Sequence, residues 1–210
     1  MRTLQVVAAL LLHGGAWAGG AEGGDRVLAT FADAPGCAPA VRIIRVGGRP
    51  DAQASARVQT LLRLDQQDRQ GVIDWTVVTL RDQARREEVR AMLAQGRLTT
   101  AEDFYAAAFV FQHGNCVEHF RVANFLAAQA MKKGYPGAPW IYAASLDRLL
   151  MNQGKPQHFG TQYVGDAKGC NWKLYPVDPK TTDSERARYE VPTLAELQAR
   201  ADQLSPPSCP

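Results

Sequence analysis

The chain has 210 residues, 46% of them hydrophobic and 21% charged, with a formal net charge of +3. That size suits one well-packed domain, at most with a small appendage, and the composition excludes wholesale disorder. So small and evenly spread a charge argues against nucleic acid or an anionic membrane as partner, and there is no heptad pattern, fixed-period repeat or second apolar run long enough for a bilayer.

Arg2, an apolar run over 4–12 broken only by Gln5, and small residues at Ala16 and Ala18 predict a signal peptide over 1–18, cleaved before Gly19. A short buried helix is the competing reading, and the Gly-rich run that follows argues against it. Cys37 lies too far downstream to carry an N-terminal lipid. The expected product is therefore soluble, periplasmic or secreted, with no integral membrane segment after cleavage. In an oxidising compartment Cys37, Cys116, Cys170 and Cys209 favour two disulfides, and three pairings are possible. No two cysteines stand close enough for a CxxC half-site, so no metal is expected.

Residues 19–50 read as an N-terminal extended segment, flexible over 19–24, with one short β-branched strand at 41–46. A helical domain follows over 51–204, and a Pro-rich tail, SPPSCP, over 205–210. The first helix, 51–69, places Val58, Leu61, Leu62 and Asp65 on one stripe. The second, 74–95, is expected to turn Val77, Leu80, Ala84, Val89, Met92 and Leu93 inward, with the mixed-charge run 81–90 as a solvated face. Gly96 closes it, and Thr99 or Thr100 caps the third helix, with Asp103 three residues after Thr100 standing in for a capping-box acid.

Residues 104–111 are apolar on every face, which marks a helix surrounded by others, with Gly114 as its left-handed stop. A fourth helix over 115–133 is expected to bury Val117, Phe120, Asn124, Ala127, Ala128 and Met131. The fifth, 139–153, is apolar nearly all round except for Asp147 and Arg148. Residues 163–177 read as a hairpin or long loop. Pro192-Thr193 then opens a last amphipathic helix with Leu194, Leu197 and Leu204 facing the body. Short connections imply antiparallel neighbours, so the expected fold class is mainly α: an antiparallel helical bundle or α-α array with a small β-hairpin or extended element.

The chemistry concentrates over 145–163. Charges on an otherwise apolar helix are costly to bury unless partnered, so Asp147 and Arg148 should each meet an opposite charge or several hydrogen bonds. Asp65 and Arg69, spaced i, i+4, with Gln66 beside them, are the candidates. One reading is an interior network that fixes helix docking. The other is that Arg148 holds a carboxylate or phosphate ligand, for which its planar fork suits it. The turn 155–163 crowds Gln157, His158, Thr161 and Gln162, which either satisfy helix ends or form one wall of a pocket. His113 is a candidate general base if a carboxylate, Asp147 or Glu102, orients it. His113 and His119 do not share a helix face, and no P-loop, GxGxxG or GxSxG occurs, so no cofactor is expected.

These residues resemble a bacterial family of unknown function. The carriers are DQQDR at 65–69, Gln112-His113, LDR at 146–148, GKPQHFGTQY at 154–163 and VPTLAEL at 191–197. That family shares a DQxxR helix, a Gln-His, an Asp-Arg and a GxxQxYGTQ-like turn. The resemblance spans residues 59–204 and implies that Asp65, Gln66, Arg69, His113, Asp147, Arg148, Gln157, Gly160, Thr161 and Gln162 form one constellation. Phe159 stands where the family pattern has tyrosine, and the cysteines lie outside the pattern. The resemblance implies a grouping and no reaction. Two functions follow: a ligand- or protein-binding module of the cell envelope, whose partner is a small molecule or an envelope protein, or an enzyme, such as a hydrolase, acting on an anionic small molecule. In the enzyme version His113 is the base and Asp147 its orienter, with Arg148 and Gln162 on the anion.

Overall fold

A computed structural model describes residues 26–32, 34, 36–47, 49–166 and 169–204, so the expected signal peptide and Pro-rich tail lie outside the described residues. The protein is mainly helical. Among the described residues seven helices are joined by two antiparallel two-stranded sheets, β1 (Arg26–Thr30) with β2 (Ile43–Val46) and β3 (Tyr163–Val164) with β4 (Lys173–Leu174). The helices are α1 (Ala52–Gln67), α2 (Trp75–Ala94), α3 (Ala101–Gln112), α4 (Val117–Lys132), α5 (Ala138–Asn152), α6 (Asp183–Arg188) and α7 (Leu194–Gln203). Among the described residues no helix is long and apolar enough to cross a membrane.

The all-round apolar sequence of α3 has its consequence in packing. Phe104, Ala106, Ala107, Ala108, Val110 and Phe111 are all buried, and α3 touches α1, α2, α4 and α5. Its start is fixed by the capping box: Thr100 accepts from the Asp103 N–H at 3.0 Å, and Asp103 accepts from the Thr100 N–H at 2.9 Å. Connections of four residues (113–116) and five residues (133–137) then lead into α4 and α5, which pack on α3 and on each other. Small side chains make that close approach possible, since Ala123, Ala127, Ala130, Ala138, Ala143 and Ala144 are all buried.

A second, smaller cluster forms where the chain leaves α5. Ala143, Phe159, Val191 and Leu197 pack together, and the rings of Phe159 and Tyr189 lie 4.6 Å apart. Phe159 is thus a core side chain here. At the other end β2 packs on α2, and the Cys37–Cys116 disulfide, with Cα atoms 5.9 Å apart, ties the connection between β1 and β2 to the start of α4. Cys209 lies outside the described residues.

Several expectations are corrected. The expected single strand at 41–46 is half of a hairpin, because 26–30 pairs with it. Helix α6, too short to show a period, was not expected. Gly114 is absent from the left-handed glycines; it is needed instead because a Cβ there would collide with the Cβ of His119. In α4 the buried face is His119, Phe120, Val122, Ala123, Leu126, Ala127 and Ala130, while Val117, Asn124, Ala128 and Met131 are half-buried.

The largest correction concerns α2. Leu80 is 66% exposed, Val77 and Ala84 are exposed too, and the inward stripe is Val78, Asp82, Arg85, Arg86, Val89, Met92 and Leu93. Part of the run expected to be solvated is therefore interior. The physical reason is mutual for Asp82 and Arg85: Arg69 pairs with Asp82, and Asp65 and Asp68 at the end of α1 meet Arg85, which makes the burial of those two charges tolerable.

Candidate functional site

The site begins where α1 ends. Asp65 lies on the buried stripe of α1, one turn beyond Leu61, and is itself buried. Its carboxylate accepts from Arg69 Nη1 at 3.1 Å, from Gln66 Nε2 at 2.8 Å and from His113 Nδ1 at 2.8 and 3.0 Å. Arg69 reaches on to Asp82 of α2, with Nη2 at 2.6 Å from Oδ2. Asp82 also accepts from Arg85 Nη2 at 2.6 Å, and Arg85 Nη1 donates to Asp68 at 2.8 Å. Three carboxylates and several guanidiniums thus weld the α1–α2 corner to the end of α3.

His113 caps the C-terminus of α3, so its position follows from the most buried helix of the fold. The Asp65 carboxylate fixes the tautomer: Nδ1 carries the proton and donates it, leaving the Nε2 lone pair unprotonated. Nε2 has no hydrogen-bond partner among the described residues, and His113 lines a cleft. Burial pushes the imidazole pKa below its ordinary value. Asp65 opposes that shift, and the positive charges of Arg69 and Arg148 add to it. The ring is neutral at pH 7, as a general base requires.

Two further guanidiniums face the same cleft. Arg86 is 1% exposed, yet it has no carboxylate in ion-pair contact among the described residues. Its Nη1 donates to the His113 carbonyl at 2.8 Å, and its Nε is buried without a partner. Arg148 donates from Nε to Gln162 Oε1 at 3.0 Å and from Nη1 to the Gln112 carbonyl at 3.0 Å, again with no carboxylate in contact among the described residues. Burial, with the nearby Arg69 charge, lowers Arg148 to about 10, so it remains cationic near neutrality. The cleft measures about 500 Å³ and is lined by Arg69, Asp82, Arg86, His113 and Arg148, with Ile73 and Trp75 nearer solvent. The buried or half-buried guanidiniums of Arg69, Arg85, Arg86 and Arg148 outnumber the carboxylates of Asp65, Asp68 and Asp82, four against three. Such a cluster is one negative charge short of balance.

The turn after α5 does a different job. Asp147 is fully buried and accepts five hydrogen bonds from it: from the N–H groups of His158, Phe159, Gly160 and Thr161 at 2.7 to 2.9 Å and from Thr161 Oγ1 at 2.9 Å. Gln157 closes the same turn, its Oε1 accepting from the Gln162 N–H at 2.8 Å and its Nε2 donating to the Gln162 carbonyl at 2.9 Å. Gly160 has φ +103°, where an L side chain is strained. The outcome is that Gln162 Oε1 is delivered to Arg148.

The expected residues therefore separate into groups. His113, Arg69 and Arg148 line the cleft; Asp65 stands behind His113, Gln66 behind Asp65, and Gln162 behind Arg148. Asp147, Gln157 and Thr161 are engaged within the turn. Asp147 does not reach His113, and Asp65 holds the imidazole in its place; nor does Asp147 or Arg148 pair with Arg69 or Asp65 as expected. Asp82, Arg85 and Arg86 are cleft and network residues that sequence reasoning missed. The available signal was their spacing with Val78 and Val89, which puts all of them on one stripe of α2.

A cluster of metal-ligating types lies nearby, with ligand atoms of Cys37, Cys116 and His119 within 4.8 Å of one another. Both sulfurs are committed to the disulfide, so neither is a thiolate ligand. The imidazole of His119 contacts the Pro39 carbonyl through Nε2 at 3.2 Å. Burial, with the positive charge of Arg86 adding to it, lowers that imidazole to about 4.

The fold and this geometry define a class: a mainly helical protein with a cationic cleft and a carboxylate-oriented histidine. Comparison with protein-family models gives no match, and neither do comparisons with curated proteins and with solved structures.

Proposed function

We propose that the chain is an exported protein that binds a small anion in the Arg69–Arg86–Arg148 cleft and acts on it by general acid–base catalysis through His113. The observation that carries this reading is the pair Arg86 and Arg148, cations withdrawn from solvent with no carboxylate in contact among the described residues, facing a cleft with His113 Nε2. Withdrawn cations without a counter-charge are destabilising, and a bound carboxylate or phosphate supplies that charge with bidentate geometry. Nε2 takes a proton from water as the water oxygen bonds to the ligand, Asp65 stabilises the imidazolium that forms, the arginines hold the negative charge, and the imidazolium gives its proton to the group whose bond to the ligand breaks. Export is supported by the leader-like residues 1–18 and by the Cys37–Cys116 disulfide. The sequence resemblance groups His113, Asp65, Arg69 and Arg148 in the same way.

Binding without turnover, the envelope-module reading, is favoured by one observation. Asp65 and Asp82 are both engaged by arginine side chains, so His113 would have to serve as base and acid alike. The test for the anion site is thermal unfolding of the native and Arg148→Gln proteins in inorganic phosphate, sulfate and acetate. The expected result is that at least one anion raises the native midpoint and that the rise is reduced or lost in the variant. Equal rises in both proteins, or none in either, would reject the site.

A further inference from the structure

The cleft is larger than an inorganic anion needs, and one helix grades it from charge to apolar surface. Trp75, Thr79, Asp82 and Arg86 follow the i, i+4, i+7, i+11 stripe of α2, and all four line the cleft. Arg86 is 1% exposed at the inner end, whereas Trp75 is 60% exposed at the outer end, with Ile73 beside it in the lining. Eleven residues of helix separate the two, about 16 Å along its axis. A volume of about 500 Å³ is that of a site for an organic molecule. An indole left 60% exposed at the edge of such a cleft is an apolar surface that the described residues leave largely uncovered.

We infer that the ligand is an elongated amphipathic anion: a phosphate or carboxylate head held by Arg86 and Arg148, and an apolar or aromatic portion that runs along α2 to lie against Trp75 and Ile73. This rests on the anion-site reading and adds the chemical class of the rest of the molecule. Arg86 and Arg148 set the depth of the head, and His113 Nε2 meets the bonds next to it. The indole face recognises the distal group by area and ring stacking, which tolerates variation in the group's identity.

The test is calorimetric titration of the full chain with two matched pairs, inorganic phosphate against 4-phenylbutyl phosphate and acetate against 5-phenylpentanoate. The variant is Trp75→Ala, chosen because a side chain 60% exposed contributes little to the core. The native protein is expected to bind the phenylalkyl member of at least one pair about tenfold more tightly than the bare anion, a difference of the size aromatic contact supplies. Trp75→Ala is expected to bring the two members of that pair close together. The choice of pair identifies the head group. Equal affinity within both pairs, or a preference that survives Trp75→Ala, overturns this inference and leaves the anion site standing. Binding of none of the four overturns both.

Discussion

His113 Nδ1 lies 2.8 Å from Asp65 Oδ2, a contact that joins the end of α3 to the last turn of α1 across 48 residues of sequence. The contact fixes which nitrogen holds the proton and leaves the other with its lone pair, in a residue that lines the cleft. Burial simultaneously keeps the ring neutral. Nitrogen-15 NMR of His113 at pH 7 is expected to show the neutral Nδ1–H tautomer and a pKa below the ordinary histidine value. An Nε2–H tautomer, or a protonated ring at that pH, would remove the general base from the scheme.

Asp147 and His113 are expected to part company on mutation. Asp147→Ala strands four backbone N–H groups and the Thr161 hydroxyl, each hydrogen-bonded to a buried charge. The expected loss in denaturant unfolding is about 3 kcal/mol or more. His113→Asn removes a ring whose hydrogen-bond partner among the described residues is Asp65, which keeps Arg69 and Gln66, so a loss of about 1 kcal/mol is expected together with a fall in any turnover of 10²-fold or more, the order expected for a general base. Equal destabilisation by the two changes would make His113 a packing residue.

Acid should unfold the protein through its buried histidines. His119 is held at about 4 in the fold against an unfolded value near 6.5, and His113 is shifted in the same direction. Between those values the unfolded chain binds more protons than the native one, so stability rises with pH there. The contribution is fully present above about pH 6.5 and is lost as pH falls through the folded value, amounting to about 3 kcal/mol for His119. Denaturant midpoints from pH 7 to pH 4 should fall, and His119→Gln should flatten that slope. An unchanged slope in the variant would assign the acid limb to other groups.

Reducing the Cys37–Cys116 bond releases a constraint across a sequence separation of 79 residues. The expected cost is about 2–4 kcal/mol. Cys116 is also the N-cap residue of α4, three residues after His113, so reduction should shift the His113 ring resonances as well. Resonances that stay in place while the midpoint falls would confine the disulfide to a purely stabilising role.

The helices were legible because their causes are local. Thr100 with Asp103 announces a start, Gly96 and Gly154 announce stops, and the all-apolar run of α3 announces its central place, each within one or two turns of sequence. So was the part of the site that local pattern marks, namely a charged pair on an apolar helix and a glycine-bearing amide turn. What only the tertiary structure decided is which charges meet. Asp147, adjacent to Arg148, turns to the backbone of 158–161, while the histidine takes its carboxylate from Asp65, on a helix two elements earlier. Asp82, Arg85 and Arg86 look like a solvated face because a guanidinium is expensive to bury alone. For Arg85 and Asp82 burial becomes favourable only when the end of α1 brings Asp65, Asp68 and Arg69 alongside, and that neighbour is a property of the fold and not of the α2 segment.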